Sequence, residues 1–272
     1  MIQHLDKFVG DLALDSIHKG SLQAYLESRV QDGVKKKTIN HGLEMVRRIL
    51  NLAAGEWVDE QGATWLAAAP RITLLPETDK RKPFPINWDE QRRLFAELPL
   101  HLKHMALFAV NSGCRDKEIC RLQWNWEVKI PELNTSVFII PGEKVKNRQD
   151  RLVVLNNIAL QVIQEVRSTH PLHVFTYQGR CITRMLNSAW KKARIRAGLS
   201  NVRVHDLKHI FGRRLRAAGV GFEDRQDLLG HKSGRITTHY SQVELINLIQ
   251  AANKVCEEGN RRPVLTVLRR VA

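Results

Sequence analysis

Residues 228–241 read LLGHKSGRITTHYS, a stretch that sets His231, Lys232, Arg235 and His239 around Tyr240. The chain has three tyrosines. Tyr25 on an apolar helical face and Tyr177 in HVFTY both suit a core, whereas Tyr240 stands among polar residues. A phenol among cations is a candidate nucleophile, because positive neighbours favour its ionised form. At its ordinary pKa near 10, only about one phenol in a thousand is ionised at pH 7.

Other titratable groups stand at the edges of expected elements. In SGCRDKE, Gly113 ends an apolar helix and the next helix begins, so Arg115 projects from a helix N-terminus where an anion is favoured; a surface arginine would read the same way. Lys146 lies in EKVKNRQDR, where it could reach over a bound backbone or stand in solvent. In HDLKHIFGRRLRAAG, His205 and Lys208 are three apart and share a helix face, with Ile210, Phe211 and Leu215 on the buried side. Gly219 stops that helix, and Gly230 places His231 at the end of the next, FEDRQDLLG.

Several familiar chemistries do not fit. HDLKH has the i, i+4 histidines of a zinc protease helix but lacks its glutamate, and Lys208 would set a cation beside the metal. LGHKSG echoes the end of a phosphate-binding loop, yet His231 interrupts it and the upstream glycine is missing. No cluster of acids suggests a two-metal nuclease. Cys114, Cys120, Cys181 and Cys256 are scattered without CxxC pairing, as reduced core residues would be. No cofactor or metal is expected.

Charge points to the partner. The 272 residues carry 43 Lys and Arg against 28 Asp and Glu, a net +15. The excess is uneven: residues 1–79 hold 9 basic and 11 acidic side chains, and residues 80–272 hold 34 and 17. A net +17 in one portion suits a polyanion better than solubility alone. No apolar run reaches the roughly 18 residues of a membrane span, and MIQHLDKFVGDLALDS lacks the apolar stretch of a signal peptide, so a cytoplasmic location is expected.

PETDKRKPFP, with three prolines and a charge cluster, reads as a linker. The expected organisation is a helical domain over 1–79, a linker over 80–86, and a second domain over 87–272. In the first, Leu22, Tyr25 and Leu26 share a face, and Thr38 caps a helix that turns Ile39, Leu43, Val46 and Leu50 inward. Its basic spots, Lys35, Lys36 and Lys37 and then Arg47 with Arg48, fit phosphate contact and a solvated helix face equally. In the second, Asn87 and Glu90 form a capping box before WDEQRRLFAEL. HMALFAVNSG is a buried helix and RDKEICRLQW a short amphipathic one. TSVFIIPGEKVKNRQDRLVVLN alternates as a hairpin with a basic loop. Further helices are expected near 157–167, 182–197, 205–217 and 243–258. The fold class is mainly α with a small antiparallel β-sheet (α+β), without the βαβ alternation of a Rossmann fold.

With these residues in order, 87–258 resembles the catalytic domain of the tyrosine recombinases, the phage integrase family. SGCRDKE matches the TGxRxxE pattern, giving Arg115 with Glu118 in support. VKNRQDR matches the hairpin lysine at Lys146. HDLKH matches HxLRH at His205 and Lys208, and LGHKSGRITTHY matches LGH followed nine residues later by tyrosine, giving His231 and Tyr240. Residues 1–79 resemble the family's SAM-like helical core-binding domain. The resemblance implies that Tyr240 attacks a DNA phosphodiester to form a 3′-phosphotyrosine, without metal or ATP, and that Arg115, Lys208 and His231 hold the phosphate oxygens. It implies Lys146 as general acid and His205 as an aid to proton movement.

Lys208 departs from the pattern, which has arginine there; charge is kept, but the planar two-pronged contact is lost. Lys35, Lys36, Lys37, Arg47, Arg148 and Arg235 are candidates for DNA contact. The implied partners are double-stranded DNA, four protomers on two sites, a monomer off DNA, and accessory DNA-bending proteins. With so few residues before Phe8, a separate arm-binding domain is not expected within this sequence, and a compact recombinase and a shortened integrase both fit. Competing readings are a DNA-binding regulator with a weakened site and a type IB topoisomerase. The C-terminal RRPVLTVLRRVA is expected to dock on a neighbouring protomer or on the chain's own core.

Overall fold

The computed structural model describes residues 2–79, 81–231 and 242–256. Tyr240, Arg235 and the 261–272 tail, all singled out above, lie outside the described residues. The chain divides into two compact units, Met1–Lys82 and Pro83–Ala272.

The first unit is helical: α1 (Ile2–Val9), α2 (Gln23–Gln31) and α3 (Lys36–Gly55). Its core gathers Leu5, Leu22, Tyr25, Ile39, Leu43, Val46 and Leu50, so the apolar faces expected of α2 and α3 do turn inward. Gly42 lets the two helices meet closely, since a Cβ there would stand 2.2 Å from the Tyr25 hydroxyl. Thr38 does not cap α3. The helix starts two residues earlier, with Lys35 as the extended N-cap residue, and Thr38 donates its N–H to the Lys35 carbonyl at 2.8 Å inside the first turn. Buried Asn40 ties the segment after α3 by two 2.8 Å bonds, from its Nδ2 to the Leu75 carbonyl and from the Leu75 N–H to its Oδ1.

The second unit opens on α4 (Trp88–Ala96), whose capping box is formed as expected: the Asn87 side chain accepts from Glu90 N, and Asn87 N donates to Glu90, each at 2.8 Å. α5 (Leu100–Ser112) is almost wholly buried from Leu102 onward and packs against two later helices. After α6 (Asp116–Cys120) come β1 (Glu127–Ile130), β2 (Thr135–Ile140) and β3 (Arg151–Val154), an antiparallel sheet in that order with Val153 opposite Phe138. The expected hairpin is β2–β3. β1, which the charged run WEVKI conceals, extends it to three strands.

Then follow α7 (Asn157–Val166), a two-stranded ladder of β4 (Thr176–Tyr177) and β5 (Arg180–Cys181), α8 (Ser188–Arg196), α9 (Val204–Ala217), α10 (Phe222–Leu229) and α11 (Gln242–Asn253). The expected helix at 182–197 therefore begins only at Ser188, because the Asn187 side chain accepts from Trp190 N at 3.0 Å and caps it there. Tyr177 is not core either: it is half exposed and stacks on His101 with ring centres 4.2 Å apart. Cys114 and Cys120 are buried but Cys181 is exposed, so one cysteine departs from the expected core placement.

One core runs through Leu102, Phe108, Phe138, Trp190 and Leu207; a second joins Val154, Phe211, Leu215, Leu228 and Leu248. α11 belongs to this second core and packs on its own chain. Its Ala252 carbonyl and Asn253 side chain receive bonds from Asn156 Nδ2 and Asn157 N at 3.4 and 2.8 Å. No described helix is long and apolar enough to cross a membrane.

Candidate active site

The site begins where α5 ends. Gly113 takes the left-handed conformation (φ 63°), and a Cβ there would lie 2.8 Å from the Phe211 ring and 3.1 Å from the Leu229 side chain. This glycine thus both stops α5 and lets α9 and α10 close over its end. Arg115 follows as the N-cap residue of α6 in extended conformation. Its backbone N–H and Nη1 donate to Glu118 Oε2 and Oε1 at 2.8 and 2.7 Å, so the carboxylate three residues on holds the guanidinium.

Glu118 is itself buried and meets a second arginine, Arg151 of β3, whose Nη1 donates to Oε2 at 2.6 Å and whose Nη2 donates to the Gly113 carbonyl at 3.0 Å. Burial alone would push the Glu118 carboxyl up. Arg151 and the bonds from Arg115 overcome that and hold it below the usual range.

α9 supplies the next groups. Arg203 N donates to Asp206 Oδ2 at 2.8 Å, while Asp206 Oδ1 accepts from Phe84 N at 3.1 Å, so the start of the helix is anchored. His205 is exposed beside His209, edge to face with ring centres 4.8 Å apart. Lys208 is buried at 4% exposure, and its Nζ donates to the Leu229 carbonyl at the end of α10, where a cation is favoured. Its pKa falls to about 7, first through burial and then through Arg151 and Arg115.

Gly230, left-handed at φ 56°, closes α10: its N–H bonds Asp227 O at 2.9 Å and that of His231 bonds Gln226 O at 3.0 Å. His231 then stands exposed beyond the helix. Partial burial of its ring against the protein, followed by Lys208, Arg115 and Arg151, lowers its pKa; partial burial, His209 and Lys208 lower that of His205. These groups act on one another because they converge.

The structure therefore brings Arg115, Glu118, His205, Lys208 and His231 together from three separated segments. Lys146 stands exposed on the loop before β3, as does Arg148, which adopts φ 56°. The base of that loop is ordered, with Gly142 N bonded to Asp150 Oδ1 at 2.8 Å. In the first unit, Lys35, Lys37 and Arg47 are exposed, but Lys36 is committed within the unit, its Nζ bonding Thr78 Oγ1 at 2.8 Å and its N–H bonding Asp79 at 2.9 Å.

Sequence reasoning missed Arg151 and His209. A signal for Arg151 existed: it is two residues before buried Val153 and so shares that strand residue's inward face.

Chemically, Arg115, Arg151 and Lys208, with the neighbouring imidazoles, stand around the Glu118 carboxylate, which is already engaged. Burial first, and the neighbouring cations after it, lower the proton affinities of Lys208, His205 and His231, and an oxyanion in the pocket would offset the second of these.

The same α+β architecture occurs in the XerH site-specific recombinase bound to palindromic difH substrate in a post-cleavage complex. That likeness has a TM-score of 0.62 and 19% identity, over 90% of this chain and 74% of that one. The chain itself belongs to the phage integrase family, whose profile matches residues 88–245, and so to the tyrosine recombinases. It is 27% identical to the integrase of Salmonella phage P22 over 78% of its own length and 56% of that relative's, so it spans little more than half of that protein. It is 24% identical to the tyrosine recombinase XerC of Xanthomonas axonopodis pv. citri, over 91% of this chain and 80% of the relative.

Proposed function

We propose that this protein is a site-specific DNA recombinase that cuts and rejoins strands through a phosphotyrosine at Tyr240. The observation that carries this reading is the convergence of Arg115, Lys208, His205 and His231 around buried Glu118. Arg115 and Lys208 bind the non-bridging oxygens of the scissile phosphate. If each donor contributes about 3 kcal/mol to the charge-bearing transition state, as single-donor deletions elsewhere suggest, the two together contribute about 6 kcal/mol. His231 adds a hydrogen bond, and His205 helps move the phenol proton.

The phenolate of Tyr240 attacks phosphorus, the bond to the 5′-oxygen breaks, and Lys146 delivers the proton that the departing hydroxyl requires. Reversal by a 5′-hydroxyl of a partner strand reseals the backbone and returns the phenol. Because the phosphotyrosine ester conserves the energy of the broken bond, these residues complete the exchange without consuming a nucleotide.

Residues 1–79 act as the core-binding domain, with exposed Lys35, Lys37 and Arg47 on the DNA backbone. Four protomers assemble on two DNA duplexes, and the protein works in the cytoplasm on the nucleoid.

The test incubates the full chain with a pool of randomised nicked duplexes and recovers DNA covalently bound to protein. An adduct attached at Tyr240 and absent in Tyr240→Phe supports the reading. DNA binding without any adduct would make the chain a regulator. Relaxation of supercoiled DNA without strand exchange would make it a topoisomerase.

A further inference from the structure

We propose that Arg151, the first residue of β3, is the positioning residue of this site: its guanidinium fixes the carboxylate that orients Arg115 and braces the glycine turn that carries His231. The proposal rests on the recombinase reading above for what the site does, but its geometry stands independently.

Arg151 is 4% exposed. One of its nitrogens holds Glu118 Oε2 at 2.6 Å, and another holds the Gly113 carbonyl at 3.0 Å. Glu118 is thereby clamped between two guanidiniums, and its position decides where Arg115 points. The other side of Arg151 lies against Gly230. A Cβ at that position would be 2.9 Å from both Cζ and Nε, so only a residue without a side chain permits the approach. One buried side chain thus touches the end of α5, α6 and the turn after α10, the three places from which Arg115 and His231 emerge. Its Nε has no hydrogen-bond partner among the described residues, so the guanidinium is buried with one donor unsatisfied. Burying an arginine this way costs desolvation that an apolar residue of similar volume would avoid. What it provides in return is a fixed bidentate geometry that lysine cannot reproduce.

The same charge acts on Lys208. The groups facing that ammonium are Arg151 from β3, Arg115 and Glu118 from α6, Cys114 before it, His231 after α10, His205 on its own helix, and the Leu229 carbonyl. After burial, Arg151 does most to lower its proton affinity.

Two variants separate geometry from charge. Arg151→Lys keeps the charge and loses the fork; Arg151→Gln loses both. On the duplex recovered with the wild type, Arg151→Lys should form adduct about 100-fold more slowly, the scale of a roughly 1 Å misplacement, with DNA affinity little changed. In the DNA-free protein with 15N-labelled lysines, the Nζ of Lys208 should titrate near the wild-type value in Arg151→Lys and at higher pH in Arg151→Gln. Three results would overturn the proposal: a wild-type adduct rate in Arg151→Lys, a loss only in proportion to the unfolded fraction, or an unchanged Lys208 titration in Arg151→Gln. If the wild type gives no adduct, the recombinase reading fails instead. The Lys208 titration then still decides whether Arg151 governs the cluster.

Discussion

Replacing Lys208 by methionine tests the electrostatics of the site directly, because Lys208 is 4% exposed and its pKa lies near 7 rather than 10.5. Between those two pH values the unfolded chain keeps this proton while the folded chain gives it up. The unfolded state therefore binds more protons, and folding stability rises with pH across that window. Each pH unit of full difference corresponds to about 1.4 kcal/mol. At pH 7 the folded amine is half protonated, so the gain from pH 7 to 9 is about 2 kcal/mol from this one group. The Lys208→Met chain carries no such group, and methionine fills a similar volume. Its stability relative to wild type should therefore be highest at pH 7 and decline by about 2 kcal/mol by pH 9. Urea denaturation of both chains at pH 7, 8 and 9 measures that difference. Adduct formation by the variant should fall about 100-fold with DNA binding largely retained, the scale of one lost anion donor. A wild-type-minus-variant stability difference that stays flat over this range would refute the lowered proton affinity of buried Lys208. Cleavage at the wild-type rate would remove Lys208 from the site.

Glu118→Gln should destabilise the second unit by about 3–5 kcal/mol, because it leaves Arg151 buried without its anion; thermal melts of the full chain measure this. Since the Glu118 pKa is depressed, its contribution in the wild type is present at neutral pH and is lost as acid protonates the carboxylate. The variant should therefore lack that part of the acid limb. Lys37→Ala, at an exposed position, should weaken DNA binding alike for all sequences and reduce the salt slope by about 1, whereas Lys36→Ala should first remove the Nζ bond to Thr78 while keeping the backbone bond to Asp79. Filter-binding titrations across a salt series distinguish the two.

Much of the site was legible because its parts are local. The glycine stops at 113, 219 and 230, the Asn87–Glu90 capping box and the three-residue spacing of Arg115 to Glu118 are consequences of helix geometry within a few residues. The inward faces of α2 and α3 follow from period 3.6 alone. Where the local signal weakened, the reading slipped. Thr38 could cap a helix but Lys35 occupies that position, Asn187 cut short a helix that its apolar pattern extended, and Tyr177 lies on a two-residue strand at the surface rather than in the core.

By itself the amino-acid order determined the mainly helical α+β class, the basic character of the second unit and the presence of five of the site's groups in their segments. Tertiary structure alone decided that Arg151 clamps Glu118 from 33 positions away and that Lys208, 21 positions before Leu229, directs one of its three donors to that carbonyl. The physical reason is that hydrogen-bonded periodicity is set by neighbours along the chain. Burial and charge coupling depend on which distant surfaces close over a residue, and they turned a lysine of ordinary sequence into a group that half loses its proton near pH 7.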